Sequence, residues 1–341
     1  MSTLVVKFGG TSVATTERIQ HVAQRIQKEY KKGHSIVAVV SAMGKTTDQL
    51  VAMANEIATT PSKREMDVLL TTGEQVTISL LSMALQSLGI EAQSFTGWQA
   101  GIVTEQVPSN ARIENIQAKT IQQALNEHKI AVVAGFQGID AQGNITTLGR
   151  GGSDTTAVAL AAALGAERCD IYTDVDGVYT SDPRYIKGAR KLQEMSYDEM
   201  LELARLGAGV LHPRSVEVAK NHRMPMTVRS SYEEVEGTIL KTISDSEKVK
   251  LPLLVTFLDS GSARIQINEE KRQKGDIELR HGSKARKERY NEAGDWALTG
   301  AGLQPQKLSK FDKGDKSTIV TWGTSNQFSA TISYNPFGVE F

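Results

Sequence analysis

The sequence predicts an α/β fold: a three-layer, mostly parallel sheet, followed by an incomplete antiparallel β segment. Residues 1–243 alternate short apolar runs with helical periods. The apolar runs are near-continuous, the pattern of strands covered on both faces. Beyond residue 245 helical periodicity stops, and turn-bounded alternating runs take over.

Leu4–Phe8 reads as a strand, and Ile19, Val22, Ala23, Ile26 and Tyr30 then recur at helical spacing up to Gly33. Ile36–Val40 reads as a buried strand and Asp48–Ala58 as a helix. Met66–Ser87 reads as a long helix interrupted at Thr71-Thr72-Gly73. Ala131–Phe136 is a strand, and Thr155–Leu164 an Ala-rich helix closed by Gly165. Asp170–Val175 is a strand and Tyr197–Leu206 a helix. This rhythm calls for a parallel sheet with helices on both faces. Residues 1–243 are therefore expected to form one domain, 244–250 a junction, and 251–341 a partial β-rich domain. In the last, Leu251–Leu258, Ala263–Asn268, Ser317–Trp322 and Gln327–Tyr334 read as strands. Gly323-Thr-Ser-Asn326 looks like a hairpin link between the final two. The charge-dense run from Glu269 to Tyr290 reads as a solvated loop. Its basic part, Lys284–Arg289, lacks the aromatic ladder of a nucleic-acid surface.

The 341 residues are 40% hydrophobic and 23% charged, values of a soluble globular chain. A formal net charge of zero argues against a dedicated nucleic-acid or membrane-surface binder. A single cysteine, Cys169, permits no intrachain disulfide and fits a reducing compartment. The N-terminal apolar run is broken at Lys7, too early for a signal peptide, so the cytoplasm is the expected location.

The most informative stretch is Leu148-Gly149-Arg150-Gly151-Gly152-Ser153-Asp154-Thr155-Thr156, with an apolar helix directly after it. Glycines admit close backbone approach, and free N–H groups at a helix start point at anions. Arg150 can grip a carboxylate or phosphate as a fork. Val5-Val6-Lys7-Phe8-Gly9-Gly10-Thr11-Ser12 repeats the theme with a lysine, again strand, glycines, helix. Two such turns suggest two anionic partners, such as a nucleotide and an acidic small molecule. No Gly-x-Gly-x-x-Gly follows the first strand, which disfavours a dinucleotide-binding dehydrogenase.

Further motifs follow in order: Val40-Ser41-Ala42-Met43-Gly44, Thr72-Gly73-Glu74-Gln75, Thr96-Gly97-Trp98, Gly135-Phe136-Gln137-Gly138, Tyr172-Thr173-Asp174-Val175-Asp176-Gly177-Val178-Tyr179 and Leu211-His212-Pro213-Arg214. With the two glycine turns, this ordered set closely resembles the aspartokinases over residues 1–243. The resemblance implies the amino acid kinase fold and phosphorylation of the L-aspartate side-chain carboxylate to 4-phospho-L-aspartate. It implies ATP and Mg²⁺ as cofactors and a place in lysine and threonine biosynthesis, and it allows a homodimer. Lys7 and Asp154 would be catalytic: Lys7 neutralises the transferring phosphoryl group and Asp154 organises Lys7. Lys7, Gly9, Gly10, Ser12, Thr173, Asp174, Tyr179 and Arg184 would hold the nucleotide. Ser41, Thr47, Glu74, Phe136, Arg150, Gly151 and Ser153 would hold aspartate, Glu74 at its ammonium and Arg150 at its α-carboxylate. No side chain is assigned as a metal ligand. Phosphoryl transfer needs positioning and charge neutralisation more than covalent help. The attacking carboxylate is already ionised, so no general base is required. At Gly209 some relatives carry a lysine, and its nucleotide contact is missing here. His212 and Cys169 read as structural, and Asp176 as a turn former.

Nothing after residue 245 resembles the paired ACT domains of aspartokinases, so feedback by lysine or threonine is not expected. Leu251–Arg280 instead resembles part of the N-terminal β domain of fungal glucosidase II α-subunits, of the family 31 glycoside hydrolases. That pairing implies a chimaeric chain, and no glycosidase activity, since the catalytic barrel is missing. Two alternatives stand beside aspartate kinase: another amino acid kinase, of glutamate or acetylglutamate type, and an inactive fusion serving as a binding module.

Overall fold

A computed structural model describes residues 2–180, 182–184, 189–205 and 209–242, and beyond them nine short strands between Leu253 and Glu340. Two compact units are present. One comprises Met1–Gly177, Glu194–Leu201 and Val210–Thr242; the other Val178–Gln193, Glu202–Gly209 and Ile243–Phe341.

In chain order the elements are β1 (Thr3–Phe8), α1 (Thr16–Lys31), β2 (Ser35–Val40), α2 (Thr46–Ile57), α3 (Lys63–Leu70), α4 (Thr72–Ser87) and β3 (Ala92–Phe95). Then come β4 (Ile102–Thr104), β5 (Ile113–Ile116), α5 (Lys119–Asn126), β6 (Ile130–Ala134), β7 (Gln137–Asp140), β8 (Ile145–Thr147) and α6 (Gly152–Ala163). The series closes with β9 (Arg168–Thr173), β10 (Glu194–Ser196), α7 (Tyr197–Arg205), α8 (Pro213–His222), β11 (Met226–Ser230) and β12 (Thr238–Lys241).

Eight strands form the main sheet, in the order β10-β12-β11-β9-β1-β2-β6-β3. All its pairings are parallel except that of β11 with β12. Side chains alternate across a strand. Leu4, Val6 and Phe8 therefore share one face with Ile36, Ala38, Val40, Ile130 and Val132. Against it α1 lays Ile19, Val22, Ala23 and Ile26, and α4 lays Ile78, Leu81 and Leu85. Val5 and Lys7 turn to the other face, where α5 and α6 pack, with α8 against α6. The alanines of α6 let that helix sit close to the sheet.

From β1 the chain passes to β2, then to the edge strand β3, fills the gap between them with β6, and returns to β1's other side with β9. Such a reversal opens a crevice at the C-terminal ends of the strands, where α/β sheets bind ligands. A smaller sheet, β5-β4-β7-β8, was not foreseen from sequence; its strands are three or four residues each, too short to show a period. The sequence pattern also does not show helices α5 and α8 or strands β3, β10, β11 and β12.

Several boundaries differ from expectation. Helix α6 begins at Gly152, because Gly151 takes the left-handed conformation (φ 69°) and Gly152 is already helical. Ser153 and Asp154 thus lie in its first turn rather than in a loop. The break expected at Thr71–Gly73 is the junction of α3 and α4, and Gly73 lies buried inside α4. A Cβ there would come within 2.8 Å of Ala42 Cβ, so the glycine permits contact rather than a bend. Strand β6 stops at Ala134, before Phe136 turns left-handed. After β1 the glycines lead into a short 3₁₀ turn, Gly10–Val13; α1 starts later behind its Thr15 cap.

In the C-terminal part the described strands are β13 (Leu253–Phe257), β14 (Ala263–Ile267), β15 (Asp276–His281), β16 (Lys284–Arg289), β17 (Ala297–Thr299), β18 (Gln304–Gln306), β19 (Ser317–Val320), β20 (Ser333–Tyr334) and β21 (Val339–Glu340). Their pairings are antiparallel. Within the run expected as a loop, β15 and β16 pair instead. Ile277 and Leu279 alternate with charged residues, a strand period that the charge density masked. β19 pairs with β14, and β20 with β15 and β21, so the last two strands foreseen are not hairpin partners. The Gly323–Asn326 link lies outside the described residues.

Candidate active site

At the end of β1 the strand alternation aims Lys7 at the face covered by α6. Its Nζ makes an ion pair with Asp154 Oδ1 at 2.7 Å, both side chains being nearly buried. Asp154 stands in the first turn of α6, where the helix dipole favours a carboxylate. A Cβ on Gly9 would lie 3.4 Å from Lys7 Nζ, so glycine keeps the space beside the ammonium clear. One on Gly10 would lie 2.9 Å from the Ala42 carbonyl oxygen, and Gly44 N donates to Gly10 O at 3.0 Å. The loops after β1 and β2 are thereby pressed together. Ser12 is buried, and its Oγ has no hydrogen-bond partner among the described residues.

The loop after β2 reaches α6 through Ser41 Oγ, which donates to Ser153 Oγ at 3.0 Å. Gly135, just past β6, allows the same approach from another strand: its Cβ would lie 2.7 Å from Ser153 Cβ and Oγ. Phe136 holds a φ of 71°, rare for a non-glycine residue. Its N–H donates to Thr156 Oγ1 at 3.1 Å, and its carbonyl accepts from Leu148 N at 2.9 Å. One bond thus ties the strained residue to α6 and the other to the turn before it.

Glu74, in the first turn of α4, is 3% exposed. Ala42 N donates to its Oε1 at 3.1 Å, and its Oε2 has no hydrogen-bond partner among the described residues. Burial pushes this carboxyl up to about 8, against the opposing pull of the backbone N–H bonds. Thr47 is half-buried in the first turn of α2, next to Thr46, whose Cγ2 approaches Gly73. Arg150 is exposed and makes no side-chain bond among the described residues, between Gly149 (φ 74°) and Gly151 (φ 69°). His212 fills the space beside Gly151: a Cβ there would fall 2.2 Å from His212 Cβ. The imidazole Nδ1 also accepts from Arg214 N as the N-cap of α8, the structural part expected of it. Burial and the neighbouring Arg214 lower its pKa.

Lys7, Ser41, Glu74, Phe136, Ser153 and Asp154 thus gather at the ends of β1, β2 and β6 and at the starts of α4 and α6. Thr173 ends β9 beside β1, and its Oγ1 donates to Asp174 Oδ1 at 2.9 Å. Tyr179 and Arg184 lie in the second unit, where Tyr179 bridges Lys191 and Arg184 pairs with Asp182 at 2.7 Å. Sequence reasoning missed the backbone N–H of Ala42 as a partner of Glu74, since a main-chain donor has no residue signature. Cys169 is a fully buried free thiol raised by burial, as a core residue should be.

A sequence model of the amino acid kinase family matches residues 2–230, two thirds of the chain, from β1 through β11. The chain belongs to the amino acid kinase family. Within it, the chain is 68% identical over 241 residues to an aspartokinase of Bacillus sp. strain MGA3, covering 71% of this chain and 59% of that one. It is similar to the solved aspartate kinase of Synechocystis, with a TM-score of 0.64 and 43% identity over 84% of this chain and 52% of that one. The E. coli aspartokinase III solved with aspartate and ADP gives a TM-score of 0.66 at 28% identity, over 82% and 70%. The chain spans roughly three-fifths of the length of the curated relatives it matches, 59–64%.

Proposed function

We propose that this chain is an aspartate kinase that transfers the γ-phosphoryl group of ATP to the side-chain carboxylate of L-aspartate. Glu74 carries the reading: a buried carboxyl with an unshared oxygen, in a site whose other charges include Lys7 and Arg150. A free amino acid with two carboxylates matches that set, its ammonium at Glu74 and its α-carboxylate at Arg150. Acetylglutamate has an acylated nitrogen and offers no ammonium to Glu74. The relatives named aspartokinase support the same choice.

In this reading Lys7 faces the phosphoryl oxygens and offsets charge that builds up in transfer, while Asp154 fixes the direction of its ammonium. The backbone at Gly9 and Gly10 and the Ser12 hydroxyl donate to the phosphates. Ser41, Thr47, Phe136, Gly151 and Ser153 line the amino-acid side, and Thr173 and Asp174 the nucleotide side. Tyr179 and Arg184 are further nucleotide candidates on their own unit. Mg²⁺ neutralises phosphate charge when bound. Lysine and threonine biosynthesis and a cytoplasmic location complete the reading, the buried Cys169 thiol fitting a reducing compartment. The domain limits at 243 and 251 and a chimaeric origin of the C-terminal part belong to it as well.

A coupled ADP-release assay with aspartate, with glutamate and with neither tests the assignment. ADP release that requires both aspartate and Mg²⁺ is expected. Equal release with no amino acid, or a preference for glutamate, overturns it.

A further inference from the structure

Arg150 has no side-chain partner of its own among the described residues and stands between two left-handed glycines. A backbone of this kind samples many conformations unless something outside it holds it. Two side chains that carry no site role in the sequence pattern meet that need, Asp67 and the Arg214 of the Leu211–Arg214 motif. Asp67 of α3, fully buried, accepts at Oδ2 from Thr147 N (3.1 Å) and Ser109 N (2.8 Å), and at Oδ1 from Thr147 Oγ1 (2.8 Å). Arg214 of α8 donates through Nη1 to Leu148 O and through Nη2 to Asn110 Oδ1, both at 2.8 Å. Asn110 Oδ1 in turn sits 2.8 Å from where a Cβ on Gly149 would project. Both side chains thus hold the same two stretches of chain, Ser109–Asn110 and Thr147–Leu148, the second ending two residues before Arg150. His212 closes the far side at Gly151.

We infer that Arg214 and Asp67 are positioning residues: together they clamp the Thr147–Gly151 turn and so set where the Arg150 guanidinium meets the substrate carboxylate. The functional half of this inference rests on the aspartate kinase reading; the clamp itself does not. An arginine suits the task because its planar fork serves two acceptors at once, which a lysine cannot do. A buried carboxylate suits it because it accepts from three donors without offering one. Neither residue needs to touch substrate. Misplacing a binding group by an ångström is enough to cost on the order of a hundredfold in rate.

Two measurements on the full chain decide the matter. The first needs no turnover. Amide hydrogen exchange in the segment 147–151 should speed up in Arg214→Ala, while the amides of β1 and β2 keep their protection. Unchanged exchange in that segment overturns the clamp, and equal acceleration everywhere shows general destabilisation instead. The second is kinetic. Arg214→Ala should raise the KM for aspartate about tenfold or more and leave the KM for ATP nearly unchanged. Arg214→Lys should recover part of the loss, and Asp67→Asn should act in the same direction as Arg214→Ala. In an Arg150→Ala background, Arg214→Ala should add nearly nothing, because a residue that acts through another shows no separate effect once that other is gone. Additive losses in the double variant overturn the positioning role. Faster exchange in a chain without aspartate-dependent ADP release overturns the kinase reading and leaves the clamp standing.

Discussion

Burial, with no cation acting on it among the described residues, pushes the Glu74 carboxyl up to about 8, and an ammonium brought to its free oxygen reverses that balance. Below pH 8 the free protein keeps Glu74 neutral, so binding an amino acid must first release a proton. The KM for aspartate should therefore fall by up to about tenfold per unit from pH 6 to 8 and then level off. Glu74→Gln should bind aspartate weakly at every pH and lose this slope. The same shift has a stability consequence. A carboxyl raised above its ordinary 4.5 stabilises the fold fully at low pH and ceases to as pH rises through about 8. The ligand-free Tm should thus decline more steeply across that window in the wild type than in Glu74→Gln. Lys7 faces a different demand, opposing charge that appears only during transfer. Lys7→Ala should keep the far-UV spectrum yet cost at least about a hundredfold in kcat; comparable turnover would remove Lys7 from the chemistry. Arg150→Lys should raise the KM for aspartate by on the order of 1–3 kcal/mol, since a point charge cannot reproduce a fork. An unchanged KM would show that Arg150 does not bind substrate. These residues were legible in the sequence because each stands in a motif of glycines and small hydroxyl residues. Asp67 was not, because a lone helix acid looks like an ordinary surface charge, and Arg214 stood in a motif without a role, because its acceptors come from loops that only the fold brings against it.

Elements were readable where one period dominated. Leu4–Phe8 and Ile36–Val40 are continuous apolar runs, and α1 repeats its apolar positions cleanly. The start of α6 was misplaced because glycine signals a loop locally, whereas here Gly152 is demanded by crowding: a Cβ on it would lie 2.9 Å from the Phe136 ring. Gly151 makes the point testable against a control. Gly165 has a similar φ of 58°, with nothing within 4 Å of its Cβ direction, so Gly165→Ala should lose only the left-handed backbone preference, about 1 kcal/mol. Gly151→Ala adds a collision with His212 and should lose clearly more, read as the shift in urea midpoint at constant slope. Equal losses would mean that His212 moves aside freely. The small sheet around β4 and β7 stayed hidden because its strands are shorter than the windows in which a period can be counted.

At the scale of the molecule, the three-layer architecture followed from strand and helix alternation, but strand order did not, because order depends on which distant runs pair. The main sheet is complete at β12, and its core draws on residues up to Leu240. A chain cut after Thr242 should therefore keep a cooperative melt and at least part of the aspartate-dependent ADP release. Loss of both would make residues 243–341 part of the catalytic fold. The place of β1 carries one more consequence. Leu4 pairs on one side with Ile36 and on the other with Arg168, so the strand bearing Lys7 gains its second neighbour only when a far later stretch has left the ribosome. Pairings of such long sequence separation form late and slowly. Until then β1 presents a bare edge to other nascent chains, a period in which aggregation competes with maturation.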